Sequence, residues 1–352
     1  MKHTETKQID VGGVKIGHGA PIPVQSMCNT RTSDAKATID QIKRLYAAGC
    51  EIIRLAVPDT DAAAALPEIV KASPIPVVAD IHFDYRLALA AAEAGVHKIR
   101  INPGNIGEAE NVRKVAEACK ARRIPIRIGV NGGSLERPLL EKYGGPTPEA
   151  MLESAQGHIR LLEEQGFEDI CVSLKASTVR DTVEAYRLAH EALPYPLHVG
   201  VTEAGGGEAA VIKSAAGIGA LLLEGIGDTL RVSLTGDPVR EVEVARELLR
   251  AVGLRRDGVE LVACPTCGRT EVDLERLLEQ TRLGLKDCRR PIRVAVMGCA
   301  VNGPGEARSA DYGIAGGKGW GLLFRKGETV GRVPEAELVP ALLRMIEEDG
   351  EK

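Results

Sequence analysis

Apolar residues recur along the first two-thirds of the chain in two alternating rhythms. Short runs of period two, bounded by Gly, Pro or Asp, are separated by Ala-, Leu- and Glu-rich segments whose apolar positions return every three or four residues. The first rhythm predicts strands at "PVQSM", "EIIRLAV", "PVVADIH", "HKIRIN", "IRIGVN", "DICVSLK", "LHVGVTE" and "TLRVSLT". The second predicts helices such as "IDQIKRLYAAG" and "RLALAAAEAG". Gly49, Gly95 and Gly166 stand where helices must end in a left-handed cap. Repeated strand–helix units over some 250 residues predict a (β/α)8 TIM-type barrel. A doubly wound open sheet is the competing arrangement, but no G-x-G-x-x-G turn follows the first strand. The opening "KQIDVGGVKIG" reads as a hairpin under the barrel. The stretch "GGSLERPLLEKYGGPTPEAM" reads as a long loop on its catalytic face.

Buried parallel strands usually read as continuous apolar runs. These alternate instead. Ile53, Leu55 and Val57 oppose Arg54; Val77, Ala79 and Ile81 oppose Asp80 and His82. Ile99 and Ile101 oppose Lys98, Arg100 and Asn102, and Ile126, Ile128 and Val130 oppose Arg127 and Asn131. Cys171, Ser173 and Lys175 share a face, as do His198, Gly200 and Thr202, and Arg231, Ser233 and Thr235. The apolar face must meet the helices, so the polar face points into the barrel. That lumen then holds Arg54, Arg100, Arg127, Arg231 and Lys175 against one acid, Asp80. Buried cations need partners, and one aspartate cannot neutralise them all. A small diphosphate-like ligand supplies the missing charge, and arginine forks suit its oxygens. His82 and His198 are candidate phosphate donors or proton carriers. Glu203 ends its strand beside a glycine loop, as a proton donor or an orienting partner for an arginine.

The chain has 352 residues, enough for one large domain and a smaller one. Lys and Arg total 45 against 49 acidic residues, a net charge of −4. That excludes a generic nucleic-acid or membrane-surface binder, though not a local basic pocket. The polar start "MKHTETKQID" lacks an apolar secretory core, and no apolar run approaches the roughly 20 residues of a membrane span. The expected compartment is the cytoplasm, where cysteines serve as thiols, metal ligands or redox groups. Cys50, Cys119 and Cys171 read as buried inert thiols. Cys28 follows a strand-like start and takes no assigned role. A charged turn, Leu254 to Glu260, divides residues 1–255 from a second domain, 256–352.

In that second domain the pattern is α+β, and both cysteine loops lie at strand ends. "CPTCGR" carries Cys264 and Cys267; "GCAVNGPGEA" carries Cys299, Asn302 and Glu306. A C-x-x-C pair alone fits a zinc knuckle, a redox pair or half a cluster site. A zinc ribbon would want a second pair, and there is none. Cys288 offers a fourth thiol, but an apparent strand, Ile292 to Val296, separates it from Cys299 by about 15–20 Å. Glu306 follows a Gly-Pro-Gly turn that folds back toward Cys299. On an iron–sulfur cluster a carboxylate is a harder, more exchangeable ligand than thiolate. Asn302 shapes this loop or reaches the ligand.

Taken together, "VQSM", "ADIHFDYRLA", "IRINPGNIG", "IRIGVNGGSLE", "SLKAS", "VTEAGGG", "LRVSLTGDP", "CPTCGRTEVD" and "GCAVNGPGEA" resemble the 4-hydroxy-3-methylbut-2-enyl diphosphate synthase family over nearly the whole chain. The length matches its compact bacterial form. The resemblance implies reductive ring opening and dehydration of 2-C-methyl-D-erythritol 2,4-cyclodiphosphate in the methylerythritol phosphate route to isoprenoids. It implies a [4Fe–4S] cluster on Cys264, Cys267, Cys299 and Glu306, fed singly with electrons by reduced flavodoxin or ferredoxin. It implies a homodimer in which one chain's cluster domain caps its partner's barrel. It places substrate contacts on Arg54, Asp80, His82, Arg100, Arg127, Asn131, Lys175, Thr202, Glu203, Arg231 and Ser233. The competing expectation is a barrel lyase or aldolase with a structural zinc domain, in which Lys175 forms a Schiff base.

Overall fold

A computed structural model describes residues 6–102, 105–106, 109–176, 178–202, 204–300, 305 and 307–350. The chain divides into two compact units, Met1–Leu254 and Arg255–Lys352.

In the first unit a hairpin, β1 (Ile9–Val11) and β2 (Val14–Ile16), precedes eight parallel strands. These are β3 (Gln25–Met27), β4 (Ile52–Ala56), β5 (Val77–Asp80), β6 (Lys98–Ile101), β7 (Ile126–Asn131), β8 (Ile170–Lys175), β9 (His198–Val199) and β10 (Thr229–Leu230). The first six form one sheet in sequence order, and β9 pairs with β10. Two bridges, Val172 to Leu197 and Val24 to Leu230, join the sheets and close the ring. The helices between them are α1 (Ala35–Ala47), α2 (Thr60–Ala72), α3 (Tyr85–Glu93), α4 (Ala109–Arg122), α5 (Arg137–Tyr143), α6 (Pro148–Glu163), α7 (Val179–Ala192), α8 (Gly207–Leu223) and α9 (Pro238–Ala251).

Alternation along the strands does what the sequence predicts. Ile53, Leu55, Val77, Ala79, Ile99, Ile101, Ile126, Ile128, Val172, Leu174, Val199 and Leu230 all lie in one core with the helices' apolar faces. The inward set ends differently at the bottom. Ile52, Val78 and Cys171 pack on Ile9, Val11 and Ile16, so the hairpin plugs the lumen with apolar side chains. Its turn is Gly12–Gly13, both at positive φ (59° and 94°), the geometry a two-residue hairpin needs.

Two elements differ from the sequence reading. The expected loop after β7 is largely helical: a short 3-10 turn at Gly132–Ser134, then α5, then the start of α6. Left-handed Gly144 ends α5, and the Thr147 hydroxyl accepts from the Ala150 amide to start α6. In addition, β9 and β10 are two residues each instead of seven. Gly200 approaches the Arg231 carbonyl so closely that a Cβ would sit 2.8 Å from its oxygen. The chain beyond that point forms the barrel wall without ladder pairing.

The second unit is a five-stranded sheet in the order β11 (Val259–Ala263), β12 (Ile292–Met297), β13 (Tyr312–Gly317), β14 (Trp320–Arg325), β15 (Glu328–Pro334). The first three are parallel and the rest antiparallel. Helices α10 (Leu274–Gly284) and α11 (Leu338–Gly350) cover one face through Leu277, Val294, Ile314 and Leu342. Ala295, Met297, Ala307, Ala315 and Phe324 form a smaller cluster on the other. No helix among the described residues is long and apolar enough to cross a membrane.

Gly313 admits Phe324 across the β13–β14 pair, since a Cβ there would lie 2.2 Å from the ring. Gly313→Ala is expected to destabilise the second unit by about 1–3 kcal/mol in denaturant unfolding. Phe324→Leu in the same chain is expected to recover part of that loss; a neutral Gly313→Ala would contradict this packing.

Candidate functional site

Each unit carries a candidate site of its own. In the barrel, residues at the C-terminal ends of the strands surround a cavity of about 320 Å³. Arg54, Asp80, His82, Arg100, Asn131, Lys175 and Thr202 line it, with Gly132, Gly133 and Ala176. Period two puts the strand residues there. The parallel register sets Ala56 beside Asp80, Asp80 beside Arg100, Arg100 beside Arg127, and Asn131 beside Lys175.

Asp80 is shared. Its carboxylate accepts from Arg100 Nη1 at 3.2 Å and lies 3.7 Å from Arg54 Nε. Burial alone would raise its pKa, but Arg54 and Arg100 overcome this and hold it below the usual carboxylate range. Arg100 also reaches His82 Nε2 at 3.2 Å. Its side chain crosses Gly129, where a Cβ would stand 2.5 Å from Nε. Lys175 is pushed well below an ordinary lysine by burial and by the field of Arg54, Arg127, Arg231 and Arg100. Among the described residues Asp80 is the only carboxylate lining this cavity.

Other expected residues lie around that centre. Arg127 is fully buried, and none of its guanidinium nitrogens has a hydrogen-bond partner among the described residues. Burial first, then Arg100, brings it down to about 10. His198 is likewise buried with Nδ1 unpartnered, and burial followed by Arg127 and Lys98 pushes it well below the usual histidine value. Ser233, two residues after Arg231, is half-buried. Glu203 lies outside the described residues.

One expectation needs correcting. Asp80 is not the only acid that compensates an inward arginine. Glu241, on α9, is 4% exposed and accepts from Arg231 Nε at 3.1 Å and Nη2 at 3.0 Å. It also accepts from the Ser26 hydroxyl and the Leu234 amide. Arg231 is therefore already compensated. A carboxylate at a buried position of an amphipathic helix was the available clue: Glu241 falls among Pro238, Val242, Ala245 and Leu249. Met27 also takes part in the lumen's polar contacts. Its sulfur accepts from Arg54 Nε at 3.1 Å and Nη2 at 2.9 Å, and lies 3.6 Å from Arg231 Nη1. Gln25 and Lys98 follow the inward alternation and are also buried, their polar ends without hydrogen-bond partners among the described residues.

In the second unit β11 and β12 are parallel neighbours, Ala263 beside Val296, so Cys264 and Gly298–Cys299 leave the sheet at the same end. The Cys264 sulfur accepts from the Gly298 amide at 3.2 Å. The Glu271 amide donates to the Gly298 carbonyl, and a Cβ on Gly298 would meet Thr270 at 2.9 Å. The two loops thus interlock. Cys267 is exposed, and its thiol is lowered by the Arg269 backbone amide, then by the Arg269 side chain and Thr270. Cys299 is buried. Cys288 precedes β12, at the strand's other end, and packs with the main core of this unit. Asn302 and Glu306 lie outside the described residues. Amide-supported, polarised thiols on two adjoining strand ends fit an iron–sulfur group. Among the described residues no group of three or more His, Cys, Asp or Glu is preformed to grip a single metal ion.

Comparison with known proteins gives one answer along the chain. The GcpE TIM-barrel domain matches residues 6–246, and the GcpE protein C-terminal domain matches residues 260–348. A 4-hydroxy-3-methylbut-2-en-1-yl diphosphate synthase (flavodoxin) of Geobacter sulfurreducens is 59% identical over 343 residues, 97% of each chain. The protein of the same name from Thermodesulfovibrio yellowstonii is 59% identical, covering 98% of this chain and 99% of its own. That of Clostridium perfringens is 56% identical over 99% of both. Among solved structures, N-acetylneuraminic acid synthetase from Leptospira borgpetersenii is 12% identical with a TM-score of 0.51, covering 81% of this chain and 99% of its own, a likeness of fold alone. With both its domains matched and its relatives aligned end to end, this chain belongs to the GcpE family.

Proposed function

We propose that this chain is a 4-hydroxy-3-methylbut-2-en-1-yl diphosphate synthase that takes its electrons from flavodoxin. It would reduce 2-C-methyl-D-erythritol 2,4-cyclodiphosphate with two electrons, open the ring and release water. The observation that carries this reading is the excess of positive charge around the barrel cavity. Arg54 and Arg100 share one aspartate, and Lys175 stands nearby. A diphosphate supplies the negative charge this arrangement lacks. The names of the full-length relatives support the same reaction. The lowered Lys175 would also suit a Schiff base, but the two matched domains and the full-length relatives carry the synthase reading.

The chain's own residues have separable tasks. Arg54, Arg100 and Lys175 bind the diphosphate, with Arg127 and Arg231 behind them. Asp80 holds two of the guanidiniums apart and oriented. Met27 holds Arg54 toward Arg231, and Glu241 fixes Arg231. Asn131, Thr202 and Ser233 offer neutral donors, His82 an imidazole at the cavity wall, and His198 a neutral imidazole deeper in. Glu203 is the candidate proton donor to the leaving oxygen. Cys264, Cys267, Cys299 and Glu306 would hold a [4Fe–4S] cluster, with Asn302 shaping that loop. When bound, such a cluster supplies single electrons and a Lewis-acidic iron. In a cytoplasmic homodimer, the cluster-bearing unit of one chain would cover the barrel mouth of its partner and exclude water.

Anaerobically purified chain is expected to contain iron and acid-labile sulfide and to convert the cyclodiphosphate when reduced flavodoxin is supplied. Stoichiometric zinc without sulfide would overturn the proposal. Cys264→Ala is expected to abolish the cluster's visible absorbance, whereas Cys288→Ala keeps it; loss in Cys288→Ala alone would refute the ligand set. Gly129→Ala pushes a methyl into Arg100, and is expected to weaken cyclodiphosphate binding about tenfold or more with the fold intact. Unchanged affinity would remove Arg100 from the diphosphate site.

A further inference from the structure

Below the cavity the lumen holds a cation whose ammonium nitrogen has no hydrogen-bond partner among the described residues. Lys98 is the first residue of β6, two positions before Arg100, so its side chain points inward about 7 Å deeper along the strand. Its register partner on β5 is Val78, which belongs to the apolar plug with Ile9, Val11, Ile16, Ile52 and Cys171. Lys98 is 0% exposed, and Nζ has no hydrogen-bond partner among the described residues.

The groups around it do not compensate it. Arg54 on β4 and Arg127 on β7 repel it. Cys171 on β8 carries a buried thiol whose pKa is raised by burial, so it stays neutral. His198 on β9 feels the field of Lys98 and is itself pushed toward the neutral form. Gln25 on β3 is a neutral amide. Asp228, before β10, accepts from the Thr6 hydroxyl and the Leu197 amide. From below, the hairpin packs Ile9, Val11 and Ile16 into the lumen. A leucine or methionine would fill such a position at far lower cost, since an unpaired buried ammonium is strongly unfavourable.

We propose that Lys98 is a positioning charge beneath the diphosphate site: it never contacts the ligand, and it strengthens anion binding through the field it adds to Arg100 and Arg127. This rests on the reading of the cavity as a diphosphate site. The stability lost by burying Lys98 is recovered when a polyanion docks above it, so apoprotein stability and ligand affinity oppose each other at this residue. Burial brings Lys98 down to about 8. Its contribution is therefore present at pH 7 and fades as pH rises through that value, because the ammonium is the attracting form.

The test is calorimetric titration of the anaerobic full-length chain with inorganic pyrophosphate, alongside its melting temperature without ligand. Lys98→Met is expected to bind pyrophosphate about tenfold more weakly and to melt about 3–6 °C higher. Lys98→Arg is expected to keep most of the affinity. The ratio of variant to parent dissociation constants is expected to fall toward one between pH 7 and pH 9, which a purely structural role would not produce. Affinity within twofold of the parent in Lys98→Met, or a lower melting temperature, would overturn the proposal. Lys175→Met separates the two readings. If it loses pyrophosphate binding while Lys98→Met does not, only the role of Lys98 fails. If neither loses it, the diphosphate site itself is wrong.

Discussion

Uncompensated positive charge inside the barrel is the constraint on which the rest of the first unit depends. Cations gathered on inward positions of neighbouring strands cost stability wherever their partners are missing. The fold meets this cost only in part. Asp80 serves Arg54 and Arg100 together, and Glu241 reaches in from α9 to serve Arg231. Arg127 and Lys98 are left without hydrogen-bond partners among the described residues. A continuous apolar core between strands and helices, with the hairpin plug beneath, offsets what the lumen loses. An anion bound at such a site would stabilise the barrel by mass action.

The second unit solves a different problem with similar means. Parallel β11 and β12 bring two loops to one end of a sheet, and backbone amides of Gly298 and Arg269 point at thiols on those loops. Amide donors favour the thiolate form that metal and sulfide chemistry requires. The opposite end of β12 is occupied by Cys288, packed against the main core of the unit. Strand direction thus sorts the cysteines before any ligand is considered.

Much of this was legible in the sequence because period two is a strict geometric rule. Arg54, Asp80, Arg100, Asn131 and Lys175 could be assigned to one face without knowing any contact, and the structure lines one cavity with them. What alternation cannot report is a partner from another layer. Glu241 sits on a helix and reaches through the wall to Arg231, accepting from the Ser26 hydroxyl on the way. Met27 reads as an ordinary apolar residue until its sulfur is seen between two guanidiniums. Nor does alternation report depth: Arg127 and Arg100 look equivalent in sequence, yet Arg100 lines the cavity over Gly129 while Arg127 is fully buried. Apolar alternation continues past Gly200, whereas β9 and β10 pair over only two residues each before Gly200 packs against the Arg231 carbonyl. Motif content carried the family assignment where geometry was silent, since Glu203, Asn302 and Glu306 lie outside the described residues.

The central claim is that the lumen's excess charge is completed by a diphosphate. The most direct measurement is the melting temperature of the full chain as a function of added 2-C-methyl-D-erythritol 2,4-cyclodiphosphate, with uncharged methylerythritol as the comparison. The account predicts a melting temperature that climbs with the logarithm of cyclodiphosphate concentration and does not move with the polyol. An equal response to both compounds, or none to either, would contradict it.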